Sequence, residues 1–296
     1  VRHRRIGGSE AAKVMGLSKY GGPIDVYRRL VEGQVDEFDP FLSKRGHLLE
    51  PVIRELSRDK FQWSLAPNPG VVLDKQREWC AASPDDLLAD QDAGVDYKSV
   101  DPRGGSDWGE EGTDQVPIDY LFQAVQYMAV FGKSQWHFAA YFGGNDLRCY
   151  TVQRNLDLES AWDEGCSKFW VDHVMAKAPP APDATEQYGS WLIKRYRSNG
   201  TTAAASPEAE RWASELRQAR LLQEQAETRV REARNHLMAL MGEAERLKGD
   251  GWSFRYQSRT TTSWKQLAES LGVASDVIAK HTKTSTFATF REDKKK

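Results

Sequence analysis

The chain has 296 residues, 40% of them hydrophobic, and its 41 Lys and Arg against 43 Asp and Glu leave a formal net charge of −2. That apolar content suffices for one large domain or a domain with an appendage. The near-neutral balance excludes nucleic-acid binding by bulk positive charge, so any such contact must come from local patches. No apolar stretch reaches membrane-spanning length and no signal-peptide pattern opens the chain, so no membrane partner is expected. Cys80, Cys149 and Cys166 lack metal-ligand spacing and fit a reducing cytoplasm, with neither a disulfide framework nor a zinc site.

The first five residues, Val1-Arg2-His3-Arg4-Arg5, are basic, and Ile6-Gly7-Gly8-Ser9-Glu10-Ala11-Ala12 reads as a tight turn into a helix capped by Ser9. Free amides there, with the arginines beside them, make either a phosphate site or simply a basic terminus next to an ordinary helix. A short helix is expected over 24–32, with Arg28 and Arg29 on a solvated face. A third runs over 41–61, where Leu42, Leu48, Leu49, Val52, Ile53 and Leu56 keep helical spacing. Pro51 predicts a kink at Glu50. Glu50 is then either a surface residue or an inward metal ligand.

Strands are expected over 70–74 and 78–83, followed by Ser83-Pro84-Asp85, a short Asp- and Gly-rich turn, and Val95-Asp96-Tyr97-Lys98-Ser99-Val100. Strand alternation puts Val95, Tyr97 and Ser99 on one face and Asp96, Lys98 and Val100 on the other. A hairpin brings Asp85 against Asp96. Two carboxylates sharing a site repel, so one resists ionisation unless a cation sits between them. Oxygen-only ligands suit Mg²⁺, for which Mn²⁺ can substitute. The Lys98 ammonium is placed to hold an attacking water and offset phosphate charge. This arrangement resembles the core of the PD-(D/E)XK nuclease superfamily.

A Gly- and acid-rich loop over 101–117 leads to a helix over 118–131, in which Gln123 and Tyr127 share a face. Alternating strands over 135–142 and 147–153 flank Gly143-Gly144-Asn145-Asp146, a hairpin signal. A helix over 156–176 follows, with Trp162, Phe169 and Trp170 as core. The Pro-rich stretch at 178–182 closes a first domain, 1–178, and 179–205 reads as a linker. In the remainder, 206–296, a long helix runs from the Ser206-Pro207 cap to about Lys248, with apolar residues averaging 3.5 apart. It suits an oligomer or partner contact, or packing on the core. Strands over 252–258 and 284–291 flank a helical stretch near 264–279, and Lys294-Lys295-Lys296 form a basic tail.

Arg2, Gly7-Gly8-Ser9-Glu10, Arg45-Gly46 with Glu50, Ser83-Pro84-Asp85, Asp96-Tyr97-Lys98, and Tyr120 with Gln123 to Tyr127 occur in an order similar to the phage λ exonuclease/YqaJ family of viral alkaline exonucleases. The resemblance covers about residues 1–175. It implies an α/β fold, a mixed central sheet flanked by helices, with the long helix and a small α+β region as a C-terminal appendage. It implies Mg²⁺ on Asp85, Asp96 and the Tyr97 carbonyl, helped by Glu50, with Lys98 orienting the nucleophilic water and Gln123 among the catalytic residues. Arg2, Ser9 and Ser83 match positions that hold a terminal 5′-phosphate, and Arg5, Arg45 and Gln126 join that DNA-binding set. The implied activity is 5′-to-3′ digestion of one strand of linear duplex DNA, preferably 5′-phosphorylated, leaving a 3′ overhang for a single-strand annealing protein. The implied setting is a homo-oligomeric ring, a trimer above all, encoded by a phage or prophage in a bacterial cytoplasm.

The chain departs from that family at Asp96, where Glu is commoner, and at Asp86, a rival ligand where Gly is usual. The nearest rival function is a structure- or site-selective endonuclease on the same core; another is a non-catalytic recombination scaffold. Three cysteines disfavour a four-cysteine iron–sulfur cluster, and neither a dinucleotide fingerprint nor a P-loop is present.

Overall fold

The computed structural model describes residues 4–34, 40–101, 105, 107–196, 201–262 and 282–292. The chain divides into two compact units, residues 1–199 and 200–296.

In the first unit, β1 (Ile6–Gly7) pairs parallel with β3 (Cys80–Ala82), which pairs antiparallel with β2 (Val72–Leu73). The main sheet has the order β4-β5-β6-β7, built from Asp86–Leu87, Ala93–Val100, Gln135–Phe142 and Asp146–Gln153. Its β5 and β6 run parallel while the outer pairs are antiparallel. Parallel neighbours require a crossover, and α4 (Ile118–Phe131) supplies it.

Strand alternation divides the core between the two faces of this sheet. On one, Trp136, Phe138 and Ala140 of β6 pack with Ala124, Tyr127 and Met128 of α4. On the other, Val95 and Tyr97 pack with Ala139 and with Ile53 of α3 (Pro40–Phe61). The mixed sheet is thus flanked by helices, and the fold is α/β. A third cluster joins α1 (Ala11–Val14), α2 (Pro23–Tyr27) and α5 (Leu156–Phe169) around Ile6, Ile24 and Trp162.

Two expectations change here. The stretch read as a linker over 179–205 contains α6 (Glu186–Arg195), capped by Thr185 and anchored by buried Tyr188 and Trp191 in that third cluster. The helix opening the chain is only a 3-10 turn plus α1, and Ser9 does not cap it. Instead the Glu10 carboxylate accepts the Gly7 amide at 3.0 Å and is gripped by Arg29 at 2.5 Å through each of two nitrogens. Arg29 is therefore a tether, not a solvated charge.

In the second unit, α7 (Pro207–Met241) starts at the Ser206 cap, whose hydroxyl accepts the Ala209 amide. It ends at Gly242, φ 53°, six residues short of the expected Lys248. Residues Arg246–Gly249 are instead β8, an antiparallel partner of β9 (Trp252–Thr262), which pairs in turn with β10 (Thr282–Glu292). The helical stretch near 264–279 and the lysine tail lie outside the described residues.

Candidate active site

The sheet's α4 face carries the candidate site. The β4–β5 pairing sets Asp86 opposite Val95, so Asp85 stands beside Asp96 and Tyr97. The Asp85 Oδ2 atom accepts the Tyr97 amide at 2.7 Å. Lys98 donates to Asp96 Oδ1 at 3.2 Å, as alternation along β5 requires. Burial first, then the charge of Asp96, pushes the Asp85 carboxyl well above the usual carboxylate range, with Glu50 adding to the effect. Burial works against the Lys98 ammonium, but Asp96 and Asp85 outweigh it and its pKa is raised. Lys98 is thus held as an ammonium beside the two carboxylates, placed to orient water or steady phosphate.

Asp96 is 1% exposed and held by three donors. Lys98 and the Gln123 amide, also at 3.2 Å, share Oδ1, and the Trp136 indole donates to Oδ2 at 2.8 Å. The indole can lie there because residue 94 is glycine: a Cβ would fall 2.2 Å from its ring. Gln123 also donates to the Tyr127 hydroxyl at 3.1 Å, which donates to the Ser83 carbonyl at 3.0 Å. The expected Gln123–Tyr127 stripe therefore ties Asp96 to the segment bearing Asp85. An ionised carboxylate offers about four acceptor positions; the three donors leave one, on Oδ2.

Asp86 is not a rival ligand. It points to the opposite face, 1% exposed, where Arg54 donates at 2.6 and 3.1 Å and the Tyr97 hydroxyl at 2.9 Å. Arg54 lies one helical turn beyond Glu50, so this ion pair also fixes the part of α3 that brings Glu50 within electrostatic reach of Asp85. Neither Arg54 nor Trp136 stood out in the sequence. Arg54 resembles any helix-surface arginine, and an aromatic on a buried strand does not reveal where its N–H points.

The remaining expected residues divide. Arg2 lies outside the described residues. Ser9 is exposed and Ser83 half-buried near the carboxylates. Arg45, on α3, has a buried Nε without a hydrogen-bond partner, as an anion-binding guanidinium would. Arg5 instead lies over the Trp170 ring, 5.8 Å from its centroid. Gln126 is fully buried and both its amide hydrogens are used within the protein: they go to the carbonyls of Ile6 and Ala81, and its oxygen accepts from Trp162. It joins β1 and β3 to α4. Gly8 has a packing reason too, since a Cβ would lie 2.5 Å from the Tyr127 ring.

Among the described residues, no group of three or more His, Cys, Asp or Glu side chains is gathered to hold a metal ion. The pair Asp85 and Asp96 still fits Mg²⁺, which is commonly held by one or two carboxylates and keeps several waters. Among the described residues, no helix is long and apolar enough to cross a membrane.

The chain is similar to known proteins in two respects. Protein YqaJ of Bacillus subtilis is 23% identical over 250 residues, 82% of this chain and 77% of that one. An alkaline exonuclease from Laribacter hongkongensis superposes with a TM-score of 0.48 at 18% identity, covering 66% of this chain and 96% of that one. A phage-related exonuclease from Haemophilus somnus gives 0.45 at 15% identity, over 65% and 96%. Residues 1–134, which carry Glu50, Asp85, Asp96, Lys98 and Gln123, match the YqaJ-like viral recombinase domain.

Proposed function

We propose that the first unit is a Mg²⁺-dependent deoxyribonuclease that digests linear duplex DNA from its 5′ ends and leaves 3′ overhangs for recombination by strand annealing. The observation that carries this reading is the pair of half-buried Asp85 and buried Asp96, with Lys98 in hydrogen-bond contact, on one sheet face. Asp85, the free position of Asp96 and the Tyr97 carbonyl would hold the metal, with Glu50 near it. When bound, Mg²⁺ activates water and stabilises the entering and leaving oxygens of an in-line displacement. Trp136, Gln123 and Lys98 hold Asp96 in one orientation, so the site is preorganised. Lys98 presents its ammonium to water or the scissile phosphate. Arg45, with Ser83 and Ser9, offers donors to a terminal phosphate, and Arg2 belongs to the same expected set. Assembly as a ring, an annealing partner and a phage origin belong to this reading as well.

The test compares linear duplex bearing 5′-phosphate or 5′-hydroxyl ends with a closed circle, with Mg²⁺ present or chelated. The expected result is mononucleotide release from phosphorylated linear ends only, abolished by chelation and by Lys98→Ala. Cleavage of the circle would replace the exonuclease with an endonuclease on the same residues. No metal-dependent cleavage of any substrate would reduce the protein to a DNA-binding scaffold.

A further inference from the structure

The helix α7 is 35 residues long and only Met241, its last residue, is buried. At 1.5 Å per residue it extends about 52 Å. Its exposed apolar residues include Trp212 at 59%, Leu216 at 52%, Val230 at 60% and Leu240 at 76%. Leu221 and Leu222, also exposed, lie beside one stripe that holds the others. Trp212, Ala219, Ala226, Ala233 and Leu240 recur every seven residues, and Leu216, Gln223, Val230 and Leu237 make the alternate row at spacings of three and four. This is the seam of a coiled coil.

We infer that α7 pairs with α7 of a second copy of this chain as an antiparallel two-helix coil. Two independent features select that occupant and that direction. The first is volume. In a parallel pair each seam residue meets its own copy, so Ala219, Ala226 and Ala233 would form three hollow layers. In an antiparallel pair with register centred between residues 224 and 225, Leu216 meets Ala233 of the second copy, Val230 meets Ala219 and Gln223 meets Ala226, large against small in each case, while Trp212 and Leu237 meet towards the two ends. The second is charge. The flanking positions then set Arg220 against Glu227, twice by symmetry, and bring no like charges together. The parallel arrangement sets Glu215 against Arg220 but also Arg229 against Arg234, and the two cancel. A chain selected only for a solvated helix has no need of this agreement between size and charge.

The test uses the full chain, with mass measured by light scattering across a concentration series. Arg220 and Glu227 are exposed, so reversing either does not disturb a packed core. Arg220→Glu or Glu227→Arg alone should halve the mass of the assembly, or weaken its association roughly tenfold or more. The combined exchange should restore it. In addition, chains carrying Leu216→Cys should form disulfides with chains carrying Ala233→Cys, and not among themselves. A monomer at every concentration would overturn the inference, as would a mass indifferent to both charge reversals. Self-linking of Leu216→Cys would overturn it equally, since it reports parallel helices.

Discussion

The two faces of β5 hold two neighbouring acids in opposite circumstances. On the α3 face, Asp86 is closed by Arg54 and the Tyr97 hydroxyl, and its charge is answered within the protein. On the α4 face, Asp85 looks toward Asp96, and the nearby cation Lys98 is already hydrogen-bonded to Asp96. A buried ion pair broken on one side is costly, whereas one left complete is close to neutral for stability. The fold therefore pairs its structural acid with a guanidinium and sets the neighbouring acid beside a second carboxylate. One step along the chain separates the two roles, because strand alternation reverses the face.

The contrast is tested most severely by Asp85→Asn. The amide oxygen can still accept the Tyr97 N–H, so the hairpin is retained while one negative charge disappears. Cleavage should fall on the order of 10²–10³-fold or more, measured on linear duplex with Mg²⁺. Metal-free melting at alkaline pH should move in the other direction, to higher temperature. The sign follows from linkage: the Asp85 carboxyl titrates higher in the folded chain than in the unfolded one, so its ionisation removes stability as pH rises between those two values. A variant that lost both cleavage and stability would erase the distinction between the two faces.

Acid should act on the quiet face instead. His137 projects from β6 on the α3 side, stacked on Trp63 at 5.4 Å, with its Nδ1 2.9 Å from the Thr151 hydroxyl. Burial pushes its pKa down from 6.5 to about 4. Its contribution is therefore present above about 6.5 and lost as pH falls toward about 4. The loss should be roughly 3 kcal/mol, from 1.36 kcal/mol per unit. Denaturant titrations at pH 7 and pH 4.5 measure it, and His137→Gln should flatten the difference.

A smaller effect separates the two oxygens of Asp96. Trp136→Phe removes the donor on Oδ2 while Gln123 and Lys98 stay on Oδ1. Loss of a partner that orients a metal ligand typically costs about 10–100-fold in affinity. Calorimetric titration with Mn²⁺ should show that loss in the variant, with metal-free melting as the folding control. Unchanged affinity would leave the indole a packing residue only.

Much of this arrangement was legible because it is local. Alternation alone placed Asp96 and Lys98 together, helical spacing located α3 and α4, and Gly143-Gly144 marked the β6–β7 hairpin. What escaped depends on distant partners. Gln123 and Gln126 lie three residues apart on one helix, yet one reaches Asp96 and the other three parts of the fold. Arg54 and Asp86 meet across thirty-two positions. One error was local: Asp250-Gly251 is the two-residue turn between β8 and β9. Apolar spacing continues through Leu247, past Gly242, where the helix ends at a positive φ.

The smallest expected effect is the sharpest test of the two faces, because it falls on a residue between Asp96 and Lys98. Tyr97 serves both sides: its backbone faces Asp85, and its side chain lies across the sheet on Asp86. Tyr97→Phe removes one hydrogen bond to a buried carboxylate that Arg54 still neutralises. Its cost should be about 1.5 kcal/mol, the lower end for bonds to charged groups, read from chemical denaturation. Cleavage and Mn²⁺ affinity should stay at the wild-type level, because the backbone amide and carbonyl are unchanged. A fall in either, at unchanged stability, would show that the two faces communicate through the phenol. Asp86 would then belong to the chemistry as well as to the fold.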